Sequence, residues 1–287
     1  MNRTCICCGD KMPSGLDSWH WRCHSCGYEA ADFEPAINQS VNHSLVNEEE
    51  RERGLRCLRE ENFRDLLEII LRHLPNKRHR LLEVGSAHGW FVQLASQVFD
   101  VVGIEPDHTI CMMAYKKGIP LRKGYFPNVL SSEERFDVIV FNDVLEHLPD
   151  VNKIIVCCFD HLNEGGLLVL NLPTSAGFFY QISKILRHLG IQGPFKRMWQ
   201  MGFPSPHLHY FNIKNLKRLV CRQGFMPICD TELPSVRLKG LYSRIAHINI
   251  GKIGLSSIVF LLVAASLPFI KLFESDAIVL IARKYNQ

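Results

Sequence analysis

The 287-residue chain predicts an α/β fold built on a doubly wound parallel sheet. Leu81-Leu82-Glu83-Val84 reads as the end of a buried strand, Gly85-Ser86-Ala87-His88-Gly89 as a tight glycine turn, and Trp90 to Ala95 as a helix start. A second apolar run, Asp100 to Ile104, closes on Glu105-Pro106, about 20 residues past the first glycine, where a ribose-binding acid sits in such sheets. Phe136 to Phe141 and Leu167 to Pro173 are continuous apolar runs, as strands buried on both faces require.

The chain begins with a different kind of element. Cys5-Ile6-Cys7-Cys8-Gly9 and Cys23-His24-Ser25-Cys26-Gly27 are two C-x-x-C pairs, each followed by glycine. That spacing suits a tetrahedral thiolate zinc site. The glycines set the register, so Cys5, Cys8, Cys23 and Cys26 are the expected ligands and Cys7 is spare. His20 and His24 are expected at the surface. So short a module buries little core, and the metal would supply its folding energy.

Glu34 to Asn47 is polar and reads as a linker. Glu48 to Leu74 carries Leu55, Leu58, Phe63, Leu66, Leu67, Ile70, Leu71 and Leu74 at spacings of three and four, the signature of one long amphipathic helix. Glu48 to Arg53 is expected to be a solvated charged face. Pro75 and a basic turn lead into the first strand. After Glu105 come a helix over Asp107 to Lys117 and a third strand over Ile119 to Gly124. Asn142-Asp143-Val144-Leu145-Glu146-His147 follows the fourth strand at its C-terminal end, where open α/β sheets bind ligands. His161 to Gly166 reads as a turn before the fifth strand and Phe178 to Leu189 as a helix. Arg197 to Phe211, with His207 and His209, reads as an irregular pocket wall. Asn212 caps a helix that runs from Ile213 to Gln223. Strand six is Phe225 to Cys229 and the last strand Ala277 to Lys284. Between them lies an insertion, Thr231 to Asp276, whose uncharged run Ile253 to Ile270 is long enough to be weighed as a membrane span. A single crossing would leave the last strand on the wrong side, so an interfacial hairpin is expected, with Pro268 turning the chain and Arg237, Lys239, Arg244, Lys252 and Lys271 meeting anionic lipid.

Two ligand classes use a strand–glycine loop–helix followed by an acid. The dinucleotide fingerprint needs a glycine where this chain has Ala87, and Glu83 would repel a pyrophosphate while suiting an ammonium group. Glu-x-Gly-x-x-x-Gly followed by Ile-Glu-Pro, with Asn142 to His147 as a later loop, resembles motifs I, II and IV of class I S-adenosylmethionine-dependent methyltransferases. The resemblance covers Leu81 to Lys284, including a His-x-Tyr-Phe segment at His209. It implies a Rossmann-like seven-stranded sheet and S-adenosylmethionine as methyl donor. It implies Glu83, Val84, Gly85, Ser86 and Gly89 around the methionine part, Glu105 and Pro106 at the ribose, and Phe126, Asn142, Asp143 and Val144 toward adenine. The acidic residue that often follows the third strand is replaced by Gly124-Tyr125-Phe126. His147 and His209 are the candidate general bases should the acceptor be a hydroxyl.

The implied organisation is a zinc ribbon over 1–34, a linker and helix over 35–78, and a methyltransferase domain over 79–287 in which 231–276 is inserted. Methyltransferases with such cysteine pairs resemble bacterial enzymes of sugars and surface glycans, so a small-molecule, sugar or lipid-linked acceptor and O-methylation are expected. A non-catalytic ribbon adaptor and a nicotinamide oxidoreductase are the alternatives. A net charge of +4 does not call for nucleic acid. Eleven cysteines without an apolar leader point to a reducing cytosol, with contact to its membrane face through 240–272 and a homodimer as further expectations.

Overall fold

The computed structural model describes residues 3–35, 48–119, 121–242, 245 and 253–285, and only the backbone of 48–55 and 253–255. Most of the expected linker, Pro120, Leu55, Arg244 and Lys252 therefore lie outside the described side chains.

Seven strands form one sheet: β5 (His79–Val84), β6 (Phe99–Glu105), β7 (Leu121–Lys123), β8 (Phe136–Asn142), β9 (Leu162–Pro173), β11 (Phe225–Leu233) and β12 (Ala277–Lys284). Their order is β11-β12-β9-β8-β5-β6-β7. β7, β6, β5, β8 and β9 pair in parallel, and β12 runs antiparallel between β9 and β11. The order reverses beside β5, so the loops after β5 and β8 open on one crevice. β9 starts earlier than the sequence suggests. Of the turn expected at His161 to Gly166, Leu162 to Gly166 belong to the strand, accommodated by left-handed Gly165 (φ 72) and a register shift against β8.

Successive residues of each central strand face opposite layers, which explains the continuous apolar runs. Leu81, Val138, Val140, Leu167 and Val169 pack under α1 (Glu48–Arg72) and α2 (Trp90–Ala95). From α1 that layer takes Phe63, Leu66, Leu67 and Ile70, while Leu71 turns outward. Leu82, Ile139, Phe141, Leu168 and Leu170 pack beneath α4 (Val151–His161) and α7 (Ile213–Cys221). Asp107 caps α3 (His108–Lys116) through Thr109 and Ile110, and Asn212 forms a capping box with Asn215 on α7.

The N-terminal module holds β1 (Arg3–Thr4), β2 (Lys11–Met12), β3 (His20–Arg22) and β4 (Glu29–Ala31). It is stitched to the large sheet's far layer. β4 pairs antiparallel with β10 (His209–Tyr210), a strand inside the stretch expected to be irregular. Asn212 and Asn215 donate to the Cys26 carbonyl at 3.1 and 3.2 Å. His20 is fully buried, contrary to its expected surface position, whereas His24 is exposed. His20 accepts from the Leu16 N–H at 3.0 Å and donates to Glu29 at 2.9 Å. Glu29 also receives Lys184 at 2.7 Å and the Tyr180 hydroxyl, both from α5 (Phe178–His188). Burial alone would raise the Glu29 carboxyl, but these partners hold it at about 2.

Between β11 and β12 the apolar run forms one helix, α8 (Ile253–Ile270), following α6 (Gly193–Met198) in chain order with α7 between them. Pro268 sits in its last turn and does not end it. Among the described residues no helix is long and apolar enough to cross a membrane.

Candidate active site and cysteine cluster

A cavity of about 300 Å³ opens at the C-terminal ends of β5, β6 and β8. Its lining includes Glu83, Val84, Gly85, Ser86, Glu105, Pro106, Phe126, Asn142, Asp143, Val144 and His147, all anticipated from the sequence. Gly85 is left-handed (φ 73), and a Cβ there would meet Val144 at 2.6 Å, so glycine lets the loop after β5 lie against the loop after β8.

Glu83 is 2% exposed at the end of β5. Asn142 donates to its Oε1 at 2.9 Å, and Asn171 donates to Asn142 at 3.3 Å. Among the described residues its Oε2 has no hydrogen-bond partner. Burial, only partly offset by Asn142 and Ser86, pushes this carboxyl up to about 8. A buried carboxylate oxygen without a donor beside a cavity fits a cationic ligand group, because an unmet buried acceptor is costly. Glu105 ties the loop together by accepting from the Ala87 N–H at 2.8 Å and the Asp107 N–H at 2.9 Å. Asp143 adopts a left-handed conformation (φ 53) that turns its carboxylate to Arg59 at 3.2 Å.

Two anticipated residues stand elsewhere. Gly89 does not line the cavity: it caps α2, and Ile119 fills the space of its missing Cβ at 2.7 Å. His209 is buried outside the cavity, with Nε2–H donating to the Leu148 carbonyl at 2.9 Å and Nδ1 accepting from the Tyr28 hydroxyl. Burial pushes it down to about 4. It joins ribbon to sheet, so it is not positioned as a base. His147 lines the cavity, and its Nδ1–H donates to the Pro206 carbonyl at 2.8 Å.

Gln200, Phe203, Pro204 and Ser205 of the lining come from the segment expected to form a pocket wall, but Arg59 and Phe63, from α1, were not foreseen. Periodicity marks Phe63 as apolar, but nothing in the sequence brings α1 over the mouth of the sheet.

In the ribbon, Cys5, Cys8, Cys23 and Cys26 place their sulfurs within 4.8 Å of one another, with Cys5 to Cys26 at 3.5 Å and Cys8 to Cys23 at 3.4 Å. The two halves are alike: Gly9 N–H closes on the Cys5 carbonyl and Gly27 N–H on the Cys23 carbonyl, each at 2.9 Å. Four thiols so placed could hold zinc, whose bonds to sulfur are about 2.3 Å. Cys7 lies outside the group and packs in the core.

The sheet order, the glycine loop and the acid ending β6 define a class I S-adenosylmethionine-dependent methyltransferase. The chain belongs to the methyltransferase domain family, whose model matches residues 58–229. Two curated relatives, both ubiquinone biosynthesis O-methyltransferases, are similar. The one from Azorhizobium caulinodans is 24% identical over 119 residues, covering 36% of this chain and 47% of the relative. The one from Rickettsia canadensis is 23% identical over 140 residues, covering 46% and 59%. The chain thus spans about half the length of the curated relatives it matches. Among solved structures, a Thermotoga maritima S-adenosylmethionine-dependent methyltransferase, a possible histamine N-methyltransferase, has a TM-score of 0.56 at 16% identity, covering 85% of this chain and 97% of that one. Haemonchus contortus phosphoethanolamine N-methyltransferase 2, solved with S-adenosylhomocysteine, has a TM-score of 0.53 at 14% identity, covering 78% and 53%. These likenesses show the fold.

Proposed function

We propose that this enzyme methylates an oxygen atom of an apolar or lipid-linked acceptor. The observation that carries the reading is His147, its Nδ1–H held by the Pro206 carbonyl, on the wall of a cavity whose lining also includes Phe63, Trp90, Tyr125 and Phe203. When bound, S-adenosylmethionine supplies a methyl group already activated on sulfonium. The chain's residues then bind, orient and exclude water. Glu83 would hold the donor's ammonium group and Glu105 its ribose hydroxyls, with Phe126, Asn142 and Val144 toward adenine. The basic Nε2 of His147 suits an acceptor that must lose a proton as it is methylated. The curated relatives' name, ubiquinone biosynthesis O-methyltransferase, supports oxygen as the accepting atom. We assign structural zinc to Cys5, Cys8, Cys23 and Cys26, and the ribbon to residues 1–34.

The second part of the reading is contact with a membrane surface. Ile258, Leu261, Leu262 and Phe269 of α8 are exposed. No acidic residue occurs from Leu233 to Phe273, while Arg237, Lys239 and Lys271 do. That combination suits an anionic bilayer, from which a lipid-linked acceptor would be taken.

The test supplies purified enzyme with methyl-labelled S-adenosylmethionine and separate lipid and aqueous extracts of cells lacking the gene. Label entering a lipid-extractable species as a methyl ether supports the reading. Label confined to nitrogen or carbon, or to a water-soluble sugar, overturns it.

A further inference from the structure

Gln200, Phe203, Pro204 and Ser205 line the cavity, and holding the donor uses none of them. Their segment leaves α6 through a Schellman turn. Gln200 N–H donates to the Arg197 carbonyl at 3.0 Å, and Met201 N–H to the Lys196 carbonyl at 3.1 Å. The residue at the centre of such a turn is left-handed, and its usual occupant is glycine. Here it is Gln200, with φ 50. A long side chain in this conformation is strained, and such strain persists where the side chain itself is required. The loop closes again through His207 N–H on the Trp199 carbonyl at 3.1 Å, and the Arg197 guanidinium lies 4.6 Å from the Phe203 ring centroid.

A chain of hydrogen bonds fixes the Gln200 amide as well. The Tyr210 hydroxyl donates its one proton to the Met198 carbonyl at 2.9 Å, so toward His207 Nδ1, at 3.2 Å, its oxygen accepts. His207 therefore carries its proton on Nδ1 and a lone pair on Nε2. Burial pushes this imidazole well below its usual range, which keeps it neutral. Its Nε2 lies 2.8 Å from the Gln200 amide nitrogen, which donates to it. An amide oxygen in that place would set lone pair against lone pair. His207 is buried and does not line the cavity, whereas Gln200 does. The nitrogen end of the amide is thus turned into the protein, and the oxygen end is left for the cavity. The His207 ring also lies 4.8 Å from that of His147 between centroids, so Gln200 stands one side chain away from the candidate base.

We propose that Gln200 selects the acceptor: its amide oxygen, oriented by Tyr210 and His207, accepts a hydrogen bond from a second hydroxyl or N–H group of the acceptor, beside the hydroxyl that is methylated. A molecule lacking that group would leave the oxygen desolvated and unmet, and a site built on such a bond discriminates against it. Glutamine exchanges no proton, so its part is recognition, with Tyr210 and His207 as positioning residues. That the ligand is a methyl acceptor rests on the O-methylation reading; the orientation of the amide does not.

The test measures the binding of phenol and of the three dihydroxybenzenes, small rings suited to the aromatic lining, by ligand-observed nuclear magnetic resonance. The full chain is used with saturating S-adenosylhomocysteine, which fills the donor's place. One dihydroxybenzene or more should bind more tightly than phenol, by roughly tenfold or better. Gln200→Gly, which suits the left-handed turn, and Gln200→Met, which removes only the amide, should abolish that advantage and leave the affinities for phenol and S-adenosylhomocysteine unchanged. Equal binding of all four rings by the wild type, or no binding of any at millimolar concentration, overturns the proposal even if a variant fails to fold. So does an advantage that both variants keep. If the advantage disappears in the variants while methyl-labelled S-adenosylmethionine labels only nitrogen or carbon, the recognition site stands and the O-methylation reading falls.

Discussion

Glu83→Gln should make the ligand-free protein more stable and the enzyme worse. The Glu83 carboxyl is at about 8 in the folded protein because it is buried with one oxygen unmet. In an unfolded chain it would be near 4.3. Below that value both states hold the proton and Glu83 has no effect on the pH dependence. From there to about 8 the unfolded chain gives up the proton and the folded one keeps it, so stability falls as pH rises. Above about 8 the loss is complete and constant. Each pH unit is worth about 1.4 kcal/mol, so the whole effect is on the order of 5 kcal/mol. Glutamine keeps the shape and does not ionise. Thermal melts of ligand-free wild type and variant from pH 5 to 9 should diverge in the variant's favour up to pH 8 and run parallel beyond. Affinity for S-adenosylhomocysteine should fall by roughly 10- to 100-fold, as loss of a charge-assisted hydrogen bond predicts. Melting curves that stay parallel across the range would refute the buried, strained carboxyl, and undiminished affinity would refute its pairing with the ammonium group.

Three other outcomes follow from the same geometry. Glu29→Gln leaves Lys184 and His20 without their shared carboxylate and should cost roughly 3–5 kcal/mol by urea unfolding at pH 7. Because Glu29 is held at about 2, its contribution is present above about 4.5 and is lost as pH falls toward 2, so wild type and variant should converge in acid. Cys23→Ser should lower bound zinc to well under one per chain and reduce Tm by several degrees, since the ribbon carries β4, to which β10 pairs; unchanged zinc content would rule out the four-thiolate assignment. Replacing Leu261 and Leu262 together by Glu removes two exposed apolar groups worth roughly 1.5–3 kcal/mol each on burial. Flotation with anionic liposomes should then drop at least 100-fold, and equal flotation of the two proteins would end the membrane reading.

What the sequence made legible was local. The turn from Glu83 to Gly89 is marked by two glycines between an apolar strand and an apolar helix, and Glu105 by its place at a strand end. Those signals needed no knowledge of the rest of the chain. The cysteine pairs were legible because the C-x-x-C repeat is a local spacing, and the fold brings the four sulfurs within 4.8 Å of one another. Longer-range placements were not. His209 shares its residue type and neighbourhood with a pocket histidine, yet a strand pairing with Ala30 draws it under the ribbon. His20 reads as a polar residue in a polar module until Glu29, Tyr180 and Lys184 close around it. Glu146 reads as an ordinary polar residue after β8, and only the fold shows both of its oxygens buried without partners. Gly89 shows how one motif glycine serves packing against Ile119 while its companion Gly85 shapes the cavity. α4 escaped notice because the preceding ligand loop dominated that stretch, although Asp150 caps it through Lys153.

The account stands most directly on donor binding in the cavity between β5, β6 and β8. Titration calorimetry of the full chain with S-adenosylhomocysteine should show one site per chain, weakened at least tenfold by Glu105→Ala in a variant that still melts cooperatively. No heat with the intact protein, or equal affinity in the two, would contradict it.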